Sequence, residues 1–286
     1  MTIHEPKFAA DSGLWTVSDA GQIEAAFTCP HLKVRPAKDP VPPLLVGTRA
    51  GMIFGSLARM TDGEIHRLRR LVAESLIASL DLDRVDECTR QASELLLRTS
   101  KTLDQWQTGL SSYALGLALG VAKSRLPALA DHVASYTRAI SPGGSELQTA
   151  EGMTAADELW TLAASLNVRA HPNTDQDIVT ANVIGLFFQA HDSVSGLLGN
   201  ALVYLHQHPD ATDMRQVIRR MVRETPSIRN TRRFAVQPVA IGGVTIDEGT
   251  TVVLDLEHAM HSNPDAPSVG FGVGSHQCPG QVLAFT

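Results

Sequence analysis

The run Phe271-Gly-Val-Gly-Ser-His-Gln-Cys278-Pro-Gly280 concentrates more chemistry than any other part of the chain. Its glycines let a loop turn tightly and let backbone approach a flat ligand, and His276 adds a basic ring. The thiol of Cys278 stands just ahead of Pro279, a residue favoured at the first position of a helix. A sulfur placed this way is a soft metal ligand, because backbone N–H groups of the loop and of a helix N-terminus favour the thiolate and tune the metal it holds. The plain alternative is a Gly-rich turn carrying an inert, buried Cys. A second constellation is Gln189-Ala-His-Asp-Ser-Val194, where Asp192 adjoins the hydroxyl of Ser193 inside an apolar stretch. Buried polar groups need partners, so this pair is either proton-transfer machinery or a helix in which Ser193 bonds back to the preceding turn. A third is Asp62-Gly-Glu-Ile-His66-Arg-Leu-Arg-Arg70, with His66 and Arg70 on one helix face. Cations at that spacing can grip two carboxylates of one ligand, or they can form an ordinary solvated basic face.

The elements that carry these groups are mostly helical. From Asp62 to about Leu166 apolar residues recur at helical spacing (Leu68, Leu71, Val72, Leu76; Tyr113, Leu115, Leu117, Leu119), broken at Pro127 and at Ser141-Pro-Gly-Gly-Ser145. Asp177 to Leu205 reads as one long helix, apolar on most faces and therefore interior, yet broken too often by Asn182, Gln189, His191 and Asp192 to span a membrane. Another helix follows Pro209 and runs through Arg223, and Ile241 to Leu254 alternates like a small hairpin. Residues 12 to 60, with the prolines from Pro36 to Pro43, read as an irregular opening segment with short strand-like pieces.

Composition sets bounds. A chain of 286 residues with 43% hydrophobic content can bury a large core, and a net charge of −6 gives no pointer to nucleic acid. The residues after Met1 carry neither a signal sequence nor an apolar span, so the expectation is a soluble protein of the cytoplasm that makes no use of a membrane. Cys29, Cys88 and Cys278 are too few and too scattered for a disulfide framework or structural zinc. His206/His208 and His258/His261 lack a completing carboxylate and read as ordinary histidines.

The spacing F-G-x-G-x-H-x-C-x-G resembles the haem-binding signature of the cytochrome P450 superfamily, bacterial soluble type, with every defining position filled. The resemblance runs from about Trp15 to the last residue and implies a mainly α fold with a small β region, forming a single cytochrome P450-like domain over 1–286. It implies haem b with Cys278 as the thiolate ligand of iron, framed by Phe271 and Gly272. His66, Arg70, Arg233 and His276 would hold the propionates, with Arg232 as the alternative to Arg233. On the distal side Ala190 would leave room for dioxygen, Ser193 would hold a proton at the reacting oxygen, and Asp192 would relay protons from solvent. Ser193 stands where the family more often has Thr. The implied function is a haem-thiolate monooxygenase oxidising a small, largely apolar molecule, with electrons from a ferredoxin-type partner. The pocket would be lined by the opening segment and the region from about Val133 to Ala170.

Three departures keep two other readings open, a haem enzyme of the same fold with different chemistry and a haem-poor binding or auxiliary protein. The family's E-x-x-R pair falls at Arg220-Met-Val-Arg223, with Arg in the acid's position; if buried without a compensating acid such as Glu224, two cations there destabilise. Only Asn263 to Gly270 separates the hairpin region from the thiolate loop, where the family has a longer meander. The chain continues six residues past Gly280, so the fold is expected to be truncated at the C-terminal helix, with barely two turns after the thiolate. Haem held loosely on that side, and lost on mild heating, is the expected consequence.

Overall fold

The computed structural model describes residues 5–141, 143–166, 168, 174–262 and 268–286. In chain order the elements are β1 (Lys7–Ala9), β2 (Leu14–Val17), α1 (Ala20–Thr28), β3 (Leu32–Lys33), α2 (Arg49–Ser56), α3 (Gly63–Ala78), α4 (Leu82–Thr99), α5 (Leu103–Ala118), α6 (Leu126–Ile140), α7 (Glu146–Ser165), α8 (Gln176–Gln207) and α9 (Met214–Glu224). They continue with β4 (Asn230–Ala235), β5 (Val239–Ile241), β6 (Val244–Ile246), β7 (Thr251–Asp255) and α10 (Leu256–Ser262). The fold is mainly α with a small β region, as the sequence implies.

The chain forms two compact units. One takes residues up to Pro40 together with Gly196–Gln281 and Phe285; the other takes Val41–Ser195 with Val282–Ala284 and Thr286. The second unit is helical, built on α4 against α5, α5 against α6, α6 against α7, and α2 against α7. Its helices start where side chains cap orphan N–H groups: Asp81 accepts from Asp83 and Arg84, Thr102 from Gln105, and Ser145 with Gln148 forms a reciprocal capping box. Helices α6 and α7 approach so closely that a β-carbon at Gly152 would lie 2.1 Å from the Ala139 Cβ, so only glycine fits there. Tyr136, Leu126, Leu129, Leu159, Ile184 and Phe187 are fully buried in this core.

The first unit holds a five-stranded mixed sheet, ordered β1-β2-β7-β4-β3. β2 runs parallel to β7, pairing Leu14 with Thr251 and Val17 with Leu254. Its core gathers Val17, Ile23, Leu32, Ile246, Val252, Leu254 and Met260. Beyond Ser195, α8 packs Leu197 and Ala201 on Val217 and Met221 of α9.

Two readings of the sequence need correction here. The opening segment is not merely irregular, since α1 and α2 lie within it, capped by Asp19 and Thr48. The span Ile241–Leu254 is not one hairpin. The hairpin is β5–β6, turning at Gly242-Gly243 with both φ positive, and β7 belongs to the larger sheet between β2 and β4.

Candidate active site

In the first unit the backbone itself shapes the Phe271–Gly280 loop. The Gly272 N–H donates to the Val269 carbonyl at 2.9 Å, Gln277 N–H to Gly274 at 3.1 Å, and Cys278 N–H to Phe271 at 2.7 Å. Gly272 (φ 73°) and Gly274 (φ 68°) sit in the left-handed region, and a β-carbon on Gly272 would press to 3.1 Å from the His276 carbonyl. Phe271 packs on Phe285 at 5.9 Å between ring centroids, and Val273 anchors the loop on the sheet core. The outcome is an exposed Cys278 thiol, which removes the reading of an inert buried Cys. After Pro279 the chain makes a 3-10 turn over Gln281–Phe285 in place of the expected short helix.

Strand alternation separates the two arginines that the sequence leaves as alternatives. On β4 Arg232 points outward and Arg233 inward, only 4% exposed. The Arg233 guanidinium lies 4.9 Å over the Phe27 ring and donates to the Arg232 carbonyl at 2.9 Å. Phe27 and Thr28 close α1, and Thr28 Cγ2 reaches within 3.4 Å of a β-carbon position at Gly274. One helix end therefore buttresses both Arg233 and the Phe271–Gly280 loop.

In the second unit, α3 holds His66 buried, with Nδ1–H donating to the Ala58 carbonyl at 2.9 Å. That bond fixes the proton on Nδ1. Arg70, one turn on, is largely covered and pairs with Glu74 at 2.6 Å. The ordinary solvated cation of this helix is Arg67, exposed beside Glu64.

Three polar side chains of α8 bond back to its own preceding turn. Asn182 donates to the Ile178 carbonyl (2.8 Å), Gln189 to Gly185 (2.8 Å) and Ser193 to Gln189 (2.7 Å). Ser193 thus makes the back-bond of the plainer reading, while its oxygen keeps lone pairs that can accept a proton. Ala190 lies one turn before it, partly covered. The expectation of a buried acid is corrected, since the Asp192 side chain is 64% exposed. Asp192 precedes Ser193 by one step round the helix and reaches solvent.

The cationic clash feared at Arg220 does not occur. Arg220 is exposed, pairs with Glu224 at 2.7 Å, donates to the Tyr204 hydroxyl at 3.0 Å and lies 5.0 Å over the Tyr204 ring. Of the stretch Asn263–Gly270, residues 263–267 lie outside the described residues, as does Ala170.

Comparison with solved structures decides the architecture. P450BioI, solved in complex with an acyl carrier protein carrying hexadec-9Z-enoic acid, matches with a TM-score of 0.78 at 21% identity, over 95% of this chain and 81% of that one. The chain has the cytochrome P450 fold. Substrate-free CYP109E1 from Bacillus megaterium gives a TM-score of 0.75 at 16% identity, over 98% and 84%. In sequence the chain is similar to curated cytochrome P450s: 29% identical over 153 residues to the putative cytochrome P450 133B1 of Xylella fastidiosa, covering 41% of this chain and 38% of that protein. It is 32% identical over 123 residues to the monooxygenase DoxA of Streptomyces peucetius, covering 36% of this chain and 29% of that protein. The chain thus spans about a third of the length of the curated P450s it matches. No protein-family model matches it.

The donors in each unit of this P450 fold suit a haem. An exposed soft thiol sits on a loop free of β-carbons at Gly272 and Gly274, and Arg233, Arg70 and His66 are cations or proton donors of a kind that can bind carboxylates. Among the described residues no group of three or more His, Cys, Asp or Glu could hold a bare metal ion. An iron whose other ligands come from a porphyrin needs only the one thiolate. No helix among the described residues is long and apolar enough to cross a membrane.

Proposed function

We propose that the protein is a haem-thiolate monooxygenase that inserts one oxygen atom of O2 into a small, largely apolar molecule, drawing electrons from a ferredoxin-type partner in the cytoplasm. The observation that carries this reading is the complete Phe271–Gly280 loop presenting an exposed Cys278 thiol. The haem, when bound, supplies the dioxygen chemistry, in which two electrons and two protons release the second oxygen atom as water. Cys278 would supply the thiolate that holds the haem iron, with Phe271 and Gly272 shaping its loop. His66, Arg70, Arg233 and His276 bind the two propionates, where Arg233 is the buried charge and Arg70 shares its guanidinium with Glu74. Ala190 would leave space for dioxygen, Asp192 would take protons from solvent, and Ser193 would pass them inward through its hydroxyl. The pairing of Arg220 with Glu224 removes one ground for a non-catalytic binding protein.

The test is the visible spectrum of protein expressed with ample haem precursor, reduced and exposed to carbon monoxide. A Soret band of thiolate type, lost in Cys278→Ala, is the expected result. A wild type with no Soret absorption overturns the proposal.

A further inference from the structure

Helix α3 carries three arginines, and they are not equivalent. Arg67 meets Glu64 with both Nε, at 2.9 Å, and Nη2, so its fork is filled. Arg70 donates from Nε to Glu74 at 2.6 Å. Arg69 has no such acid among the described residues. His66, Arg69, Val72 and Leu76 follow one another three or four residues apart, which puts Arg69 on the helix face whose other three members are buried. Its guanidinium is partly buried there, and burial pushes its pKa below the ordinary arginine value with no carboxylate to raise it. A desolvated charge left unpaired is destabilising, so an arginine in this place calls for an anion.

The bond that Arg69 does make uses only one of its nitrogens. Nη1 donates to the Gly55 carbonyl in the last turn of α2. Two carbonyls just beyond are taken in the same way, Ser56 by Asn182 of α8 at 3.2 Å and Ala58 by His66 at 2.9 Å. Helix α8 also comes so near that a β-carbon at Gly185 would lie 2.7 Å from Leu57 Cδ2. A helix end leaves such carbonyls without partners, so α3 and α8 together hold the C-terminal turn of α2, all within the second unit. A plain cation at a helix C-terminus would serve that task. It leaves the other edge of the guanidinium unexplained, because Nε and Nη2 present two parallel donors with no acceptor among the described residues. That edge matches a carboxylate.

We infer that Arg69 takes a carboxylate on Nε and Nη2 while Nη1 keeps its hold on Gly55, so that one guanidinium couples uptake of that carboxylate to the order of α2. A bidentate carboxylate fixes the guanidinium in one orientation, and the bond to α2 then costs less side-chain entropy. Arg69 is a positioning residue for α2. The group recognised is the carboxylate of a small molecule, either a haem propionate or an organic acid bound as substrate. The haem source rests on the monooxygenase reading. Under that reading α2 also lies in the opening segment that lines the substrate pocket, so filling the Arg69 fork prepares one wall of that pocket before substrate arrives.

The experiment uses the full chain as wild type, Arg69→Gln, Arg69→Lys and Arg67→Gln, the last removing an exposed cation from the same helix. Two quantities are read: the rate at which haem passes to excess apomyoglobin, and amide hydrogen exchange over residues 49–58. Exchange is followed without ligand, with haem, with haem dimethyl ester, whose carboxylates are blocked, and with decanoate. Arg69→Gln should lose haem roughly tenfold faster than wild type, Arg69→Lys by a smaller factor because it keeps the charge without the fork, and Arg67→Gln at the wild-type rate. Haem should slow exchange in wild-type α2 roughly tenfold, and the dimethyl ester should not. That arm needs no variant, so it holds even if Arg69→Gln folds poorly. Slowing by decanoate, weakened in Arg69→Lys and absent in Arg69→Gln, upholds the coupling and assigns the carboxylate to an organic acid. The inference is overturned if haem slows exchange no more than its dimethyl ester does and decanoate has no effect, or if the slowing persists in Arg69→Gln. In either case a wild-type carbon monoxide band leaves the monooxygenase standing. A wild type that binds no haem ends the monooxygenase reading, and the decanoate arm alone then upholds or overturns Arg69.

Discussion

The α8 centre and the Phe271–Gly280 loop both present chemistry, but they hold it by opposite means. In α8 Asn182, Gln189 and Ser193 are each tied to a carbonyl of their own helix, and the backbone would keep its shape without any of them. In the loop the backbone sets the turn, with Val273 anchoring it on the sheet core. Cys278 is placed by its own N–H on the Phe271 carbonyl and by two glycines at positive φ. A helix therefore tolerates change of its functional groups and reports it in chemistry, whereas the loop reports change in structure first.

Gly272→Ala should break this contrast most strongly. It forces an alanine into the left-handed region and a β-carbon to 3.1 Å from the His276 carbonyl, at a cost of about 1–3 kcal/mol. The thiolate-type spectrum should be lost or sharply weakened, as measured by haem content after gel filtration. The matching change in the helix, Ser193→Ala, should leave Tm and haem content unchanged, because a side-chain back-bond adds little to a helix. It should instead cut product formed per electron roughly tenfold, with the balance appearing as peroxide.

A third test sharpens the helical side. Burial holds the folded His191 pKa below its unfolded value, so as pH falls through the ordinary histidine range the unfolded chain takes up the proton first. Stability is lost from there down to the folded value. Wild type should therefore lose more stability than His191→Gln on going from about pH 7 to about pH 5, read by urea melts of both. The smallest effect is expected at Arg220. Arg220→Glu would face Glu224 and abandon Tyr204 on an exposed surface. It should lower Tm by no more than about 2 °C and gain no haem retention.

The same contrast explains what the sequence made legible. The extent of α8, expected over 177–205 and found over Gln176–Gln207, follows from a periodic pattern that any sequence window contains. The thiolate loop was legible because its spacing is local. The exposure of Asp192 was not, because an almost wholly apolar helix gives no hint of where a neighbouring pair of helices leaves a cleft. The alternation of β4 could have chosen Arg233 over Arg232, once Ala235 was taken as inward-facing. Helices α1 and α2 were masked by prolines around them, although Asp19 and Thr48 are ordinary N-caps. The place of β7 depends on pairing with β2 from the far end of the chain, which no local signal records.

That parallel pairing has a consequence for how the chain is made. Leu14 leaves the ribosome more than two hundred residues before its partner Thr251, so β2 waits unpaired through most of synthesis. The unit formed by Val41–Ser195 can meanwhile complete nearly all its contacts from one continuous stretch. The sheet unit must close a very long loop, which costs little in stability but slows its formation. Arg233 and the thiolate loop belong to that late-closing unit, so the groups proposed to receive the haem iron and its carboxylates are among the last to take shape.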